Sequence, residues 1–170
     1  MAISMYSASA PVFVRMFSNL LTWLDKAEAH AQARKFDTGV YLAARLAPDM
    51  LPFTKQIQIA CDAAKFGVAR LAGTESPKFE DSETTLAELR ERIRKTIAYV
   101  QSVPAAQIDG CEAKDVVVPR RDGSITLKGE FYLKHYVLPN FFFHVTTAYA
   151  LLRHNGVELG KSDYLGALPQ

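Results

Sequence analysis

The sequence predicts an all-α protein, an antiparallel four-helix bundle with a small β-hairpin before the last helix. Three observations carry that expectation. Four long segments repeat apolar residues at spacings of three and four, the period of an amphipathic helix. One short stretch, around an Asp-Gly pair, alternates in the manner of paired strands. Nowhere do strands alternate with helices as a parallel sheet would require. At 170 residues the chain is the size of one domain, 1–170. A chain of that length buries roughly 70% of its unfolded surface without help from metals or disulfides.

The first helix is expected from Ser7 or Ser9 to Arg34, on the stripe Val12, Phe13, Met16, Leu20, Trp23, Leu24 and Ala27. Pro11 suits its first turn, where a missing N–H costs little. Asp37-Thr38-Gly39 ends it, and Val40 to Leu46 forms a connector stopped by the restriction that Pro48 places on the residue before it. The second helix follows Met50, Phe53, Ile57, Ala60, Cys61, Ala64, Val68 and Leu71, with Asp49 as its N-cap, Pro52 in its first turn and Gly73 closing it. Thr74 to Asp81 reads as a loop. The third helix opens on a Thr85-x-x-Glu88 capping box and carries Leu86, Leu89, Ile93, Ile97 and Val100 inward. On its outer face Glu88 with Arg92, and Glu91 with Lys95, stand four apart, each pair worth roughly 0.2–0.5 kcal/mol.

Beyond Pro104 the pattern changes. Val116–Pro119 and Ser124–Lys128 flank Asp122-Gly123, a hairpin signal, and Pro119 keeps the first strand short or at an edge. The fourth helix is expected from Glu130 to Asn155, stopped by Gly156, on the stripe Phe131, His135, Leu138, Phe142, Val145, Tyr149 and Leu152. The tail from Val157 to Gln170 has no period.

Composition excludes several classes of function. With 49% hydrophobic residues, 22% charged residues and a net charge of +2, the chain resembles an ordinary soluble protein. Lys and Arg are interleaved with Asp and Glu, so there is no basic stripe for nucleic acid. No apolar run approaches a membrane span, and Met1 to Tyr6 lacks the features of a signal peptide. A cytoplasmic location is therefore expected, with Cys61 and Cys111 as reduced thiols.

Chemistry is concentrated in the last long helix, which holds His135, His144 and His154 of the four histidines. A neutral imidazole titrates near pH 6.5 and suits proton transfer, which makes His144 the candidate catalytic residue. His30 and His154 lie near helix C-termini, where the macrodipole alone accounts for them. On a straight helix His135 and His144 differ by 900° and face opposite ways. Pro139, however, clashes with the carbonyl of His135, and a kink there would change the phase. On the second helix Gln58, Asp62 and Lys65 form a polar stripe, read either as a solvated face or as an Asp62–Lys65 ion pair. Alternatively, Gln56 or Asp62 turns inward and completes a polar pocket with Asn140, His144 and His135, able to take a small-molecule ligand. Phe141, Phe142 and Phe143 point in directions about 100° apart. Phe143, least in phase with the stripe, is the expected anchor of a homodimer.

Several segments resemble those of a known family: Met5-Tyr6 with Pro11-Val12-Phe13, Ala44-Arg45-Leu46-Ala47-Pro48-Asp49-Met50, Gln56-Ile57-Gln58-Ile59-Ala60, Leu138-Pro139-Asn140-Phe141 through His144, and the tail Leu151 to Val157 with Ser162 to Leu165. They are similar to the DinB/YfiT-like helical-bundle superfamily, and more closely to one bacterial family in it known only as a domain of unknown function. The superfamily resemblance implies a divalent-metal site of three histidines, one on the second helix and two in an H-x-x-x-H pair on the fourth. Here Asn140 takes the first position of that pair and His144 the second, and no histidine lies between Asp49 and Gly73. No resident cofactor is therefore expected, although a divalent metal is what the resemblance implies. Two functions follow. The first is a non-catalytic homodimeric binding or structural protein with a degenerate metal site. The second is a metal-dependent or His-based transferase acting on small thiols.

Overall fold

The computed structural model describes residues 3–167. Along the chain run α1 (Ala10–Arg34), α2 (Gly39–Leu42), α3 (Phe53–Ala72), α4 (Leu86–Ser102), α5 (Ala105–Ile108), β1 (Asp115–Arg120), β2 (Gly123–Lys128), α6 (Gly129–Tyr132), a π-helical turn (Leu133–Val137), α7 (Leu138–His154) and α8 (Lys161–Leu165). The chain is thus mostly helical with one antiparallel hairpin, and four short helices accompany the four long ones among the described residues. None of these helices is long and apolar enough to cross a membrane.

Local chemistry sets most of the boundaries. Lys35, in the left-handed region at φ 58°, turns the chain out of α1. Pro52 is extended at φ −72° and ψ 166°, so α3 starts at Phe53 and the expected cap at Asp49 is not used. Gly73, at φ 77°, closes α3. The capping box forms as read: Glu88 N donates to Thr85 Oγ1 at 3.2 Å, and Thr85 N donates to Glu88 Oε2 at 3.0 Å. That box commits the Glu88 carboxylate to Thr84 and Thr85, and Arg92, one turn further on, pairs instead with Asp62, Asp81 and Glu83.

The directions of the long helices correct the antiparallel expectation. Gln56 meets His144, and Gly67 meets Val137, so α3 and α7 run in opposite senses. Gln58 bonds Glu83 just before α4, Arg92 bonds Asp62, and Tyr99 Oη reaches Glu75 O just past α3. Residue numbers rise together along these contacts, so α3 and α4 are parallel. Phe13 and Phe17 meet Phe141 while Trp23 meets Tyr149, so α1 and α7 are parallel too. Asp25 and Glu28 pair with Arg90 while Tyr6 N donates to Asp109 beyond the end of α4, which sets α1 against α4. The four long helices therefore run up, down, down, up. Gly73 to Thr85 makes this possible, because its thirteen residues span up to about 40 Å when extended. A 20-residue helix such as α3 is only about 30 Å long.

The last long helix is interrupted. Pro139 cannot donate to His135, and the five residues before Leu138 are π-helical, with Leu138 N bonded to Leu133 O. The wider turn accommodates the proline and shifts the phase of everything before it. The inward residues become Leu133, Val137, Phe141, Val145, Ala148 and Leu152. Phe131 and His135 face outward, their rings 4.6 Å apart. Phe141 is the ring enclosed by the core, against Phe13 and Phe17, and Phe143 is 57% exposed.

The hairpin and the tail complete the fold. Arg120 pairs with Gly123, so the two-residue turn is Arg121-Asp122, one position before the expected pair. Val116 and Val118 are buried, and Val117 is exposed on the other face. The tail contains α8, which five residues could not announce by periodicity. Gly160 N donates to Asp163 Oδ2 at 2.8 Å, and Lys26 pairs with Asp163 Oδ1 at 2.7 Å. Trp23 Nε1 donates to Asp163 O at 3.0 Å, and its ring stacks on Tyr164.

Gly67 tests the meeting of α3 and the π-turn. A Cβ there would lie 2.7 Å from Val137 Cγ1. Gly67→Ala is expected to cost about 1–3 kcal/mol by overpacking, read by urea unfolding. In a Val137→Ala background the same change is expected to cost less than half as much.

Candidate functional site

His144 projects from α7 onto α3, only 8% exposed. Its Nδ1 lies 2.7 Å from Gln56 Oε1, and Gln56 Nε2 donates to Leu51 O at 2.9 Å. Because the amide nitrogen is committed to a carbonyl, Oε1 accepts, the imidazole proton sits on Nδ1, and Nε2 keeps its lone pair. Burial lowers the pKa of His144 below the usual histidine value, so the ring is held neutral. The exposed ring of Phe143 stands edge-on to it, with centroids 5.2 Å apart.

One turn further along the same helical seam, a second group of polar residues surrounds a cavity of about 200 Å³. Asp62 and Arg70 of α3, Tyr132 and Tyr136 before α7, and Asn140 supply its polar wall. Phe66, Val118 and Val137 are among its apolar neighbours. Arg70 Nη1 donates to Tyr132 Oη at 3.1 Å, and the guanidinium lies over the Phe66 ring. Burial raises the Tyr132 pKa, against the opposing influence of Arg70, so the phenol stays protonated.

The anticipated pocket is therefore divided. Gln56 and His144 form one hydrogen-bonded pair, Asp62 and Asn140 line the neighbouring cavity, and His135 belongs to neither because the π-turn rotates it to the surface. Sequence reasoning missed Arg70, Tyr132 and Tyr136. Tyr132 and Tyr136 stand four apart, the spacing that places two side chains on one helical face, and that signal was available.

Behind the cavity, the polar stripe of α3 is not a solvated face: the expected Asp62–Lys65 ion pair forms, with its lysine buried. Lys65 is 2% exposed and Arg92 3%. Asp62 Oδ1 accepts from Lys65 Nζ at 3.0 Å and from Arg92 Nη2 at 3.2 Å. Arg92 also pairs with Glu83 at 3.0 Å and Asp81 at 3.0 Å. Phe79, from the long crossover, lies 4.4 Å from Lys65 Nζ and 5.6 Å from the Arg92 guanidinium. Burial pushes Asp81 up, but its bonds to Lys55 and Arg92 outweigh that and leave its pKa lowered. Cys61 sits beside this cluster, its thiol pushed up to about 12 mainly by burial, so it is no nucleophile at neutral pH. His30 also differs from its simple helix-end reading: its Nδ1 is 2.6 Å from the hydroxyl of buried Tyr41.

The donor set does not fit a three-histidine metal centre. The residue that α3 presents to His144 is Gln56, and the two are bonded to each other instead of turned toward a common third atom. Amide oxygens such as those of Gln56 and Asn140 are poor ligands for zinc or nickel. Among the described residues, no three His, Cys, Asp or Glu side chains are grouped to hold an ion.

Helices running up, down, down, up, with a histidine on the seam between the second and the last, define a DinB-like helical protein. The chain belongs to the family described as Domain of unknown function (DUF1993), whose model matches residues 5–165. It is 45% identical to a DinB family member protein from Shewanella denitrificans of known crystal structure, with a TM-score of 0.90 over 97% of this chain and 93% of that one. No curated protein matches it.

The unfolded chain takes up a proton at His144 near pH 6.5, whereas the folded chain does so only at lower pH. Stability from the neutral ring is thus complete above that value and lost as pH falls through the lowered folded pKa. Urea unfolding from pH 7.5 downward, a range set by the ordinary histidine pKa of about 6.5, is expected to show this loss, reduced in His144→Gln. Separately, Asp62→Ala is expected to destabilise by roughly 3 kcal/mol, because Lys65 is left buried without a carboxylate. Adding Lys65→Met is expected to recover part of that loss in the same measurement.

Proposed function

We propose that this protein is a non-catalytic binding protein on a DinB-like four-helix frame, a cytoplasmic homodimer whose ancestral metal seam has been rebuilt as a hydrogen-bonded one. The observation that carries this reading is the His144–Gln56–Leu51 relay. It spends one imidazole nitrogen and both ends of the amide on protein partners. The neighbouring cavity supplies room for a small ligand, and Phe143, beside Leu46 on a shallow apolar groove, supplies the contact between copies. Twofold dimers are the commonest assembly of soluble proteins. The buried thiols Cys61 and Cys111 are in keeping with a reducing compartment.

One preparation, purified without an affinity tag or added metal, tests both parts. Elemental analysis is expected to find far less than one equivalent of zinc, nickel or iron. Light scattering is expected to give twice the 18.9 kDa chain mass, falling to the single mass in Phe143→Ser. One equivalent of metal that disappears in His144→Ala would favour the thiol-transferase reading instead. A single mass unchanged by Phe143→Ser would remove the dimer.

A further inference from the structure

We propose that the cavity between α3, β1 and the π-turn binds a small organic monocarboxylate, with its carboxylate on Arg70 and its apolar body against Phe66, Val118 and Val137. This gives a ligand class to the binding reading above and rests on it. Arg90 pairs with Asp25 and Glu28, and Arg92 with Asp62, Asp81 and Glu83, yet among the described residues no carboxylate lies within ion-pair distance of Arg70. Its guanidinium is half-buried at the cavity wall and held in place. Nη1 donates to Tyr132 Oη, that hydroxyl donates onward to Phe66 O at 3.4 Å, and the plane rests over the Phe66 ring. The Nε and Nη2 edge is left uncommitted, and that edge matches a carboxylate in two parallel hydrogen bonds.

The rest of the wall admits an anion. Asp62, the one acid lining the cavity, has Lys65 and Arg92 both on its Oδ1, so its charge is offset from behind. Asn140 and Tyr136 add neutral hydrogen-bonding groups that orient a ligand without opposing its charge. At about 200 Å³ the space falls below the roughly 300–1,000 Å³ of pockets that take drug-sized ligands. A single ring or a branched chain bearing one acid group suits it.

Benzoate, benzamide and inorganic phosphate, titrated calorimetrically into the full chain, separate the possibilities. Benzoate is expected to bind. Benzamide, with the same shape and no charge, is expected to bind roughly tenfold more weakly or worse, the range of a lost charged hydrogen bond. Arg70→Gln is expected to erase the difference. Ile59→Trp, which fills the cavity without touching Arg70, is expected to abolish benzoate binding while the thermal transition is kept. Equal affinity for benzoate and benzamide, or benzoate binding unchanged in either variant, overturns the proposal. Phosphate binding as tight as benzoate overturns the organic-acid assignment. A metal-bearing protein that binds benzoate through Arg70 would refute the non-catalytic reading alone, and a metal-free protein indifferent to benzoate would refute this one alone.

Discussion

The carboxylate of Asp62 is the constraint on which much else depends. It lies on α3 between two cations, Lys65 and Arg92, that are both almost wholly out of water. Removing two such charges from solvent is costly unless each finds an opposite charge in good geometry. Two cations meet three acids here, Asp62, Asp81 and Glu83, and two of the three come from the crossover between α3 and α4. That crossover must therefore lie back along α3, which delivers α4 in the same direction as α3. The cluster and the helix order are one arrangement. The same Asp62 forms the boundary between this ionic interior and the cavity.

The π-turn is the second organising device. One extra residue in a turn rotates all that precedes it relative to all that follows, and so decides which polar side chains can meet. Downstream, Phe141 enters the core and His144 reaches Gln56. Upstream, Tyr132 is buried against Arg70 while His135 is turned to the surface. Pro139 makes the widened turn the low-cost solution, since the hydrogen bond it cannot form is one that a π-turn does not ask of it.

What the sequence revealed divides along physical lines. The long helices, the Thr85 capping box and the hairpin were readable because each rests on local chemistry repeated over a few residues. Helix direction was not, because it depends on where Asp81 and Glu83 find Arg92. The length of the crossover was nonetheless a visible sign that α4 need not reverse α3. The stripe of the last helix was misplaced around Pro139, where Leu133, Val137 and Phe141 face inward instead of Phe131, His135 and Phe142, since a straight 3.6-residue period was carried through a turn that breaks it. At the site, His144 and Gln56 were singled out by residue type and location. Arg70 was passed over because a lone arginine near a helix end gives no sign of what it lacks. Whether Lys65 and Arg92 are solvated or buried is settled by Phe79, which no pattern within α3 or α4 could supply.

The docking of the tail on α1 bears on the order in which the chain folds. Trp23, fully buried, is covered by Tyr149 and Tyr164 and donates to the carbonyl of Asp163, which lies 140 residues further along. During synthesis the inner face of α1 is among the first structures to emerge, and its tryptophan is among the last to be sealed. Contacts of such long separation form late and slowly. A nascent or truncated chain ending before Tyr149 would carry that indole uncovered, a sticky surface until the final segment arrives.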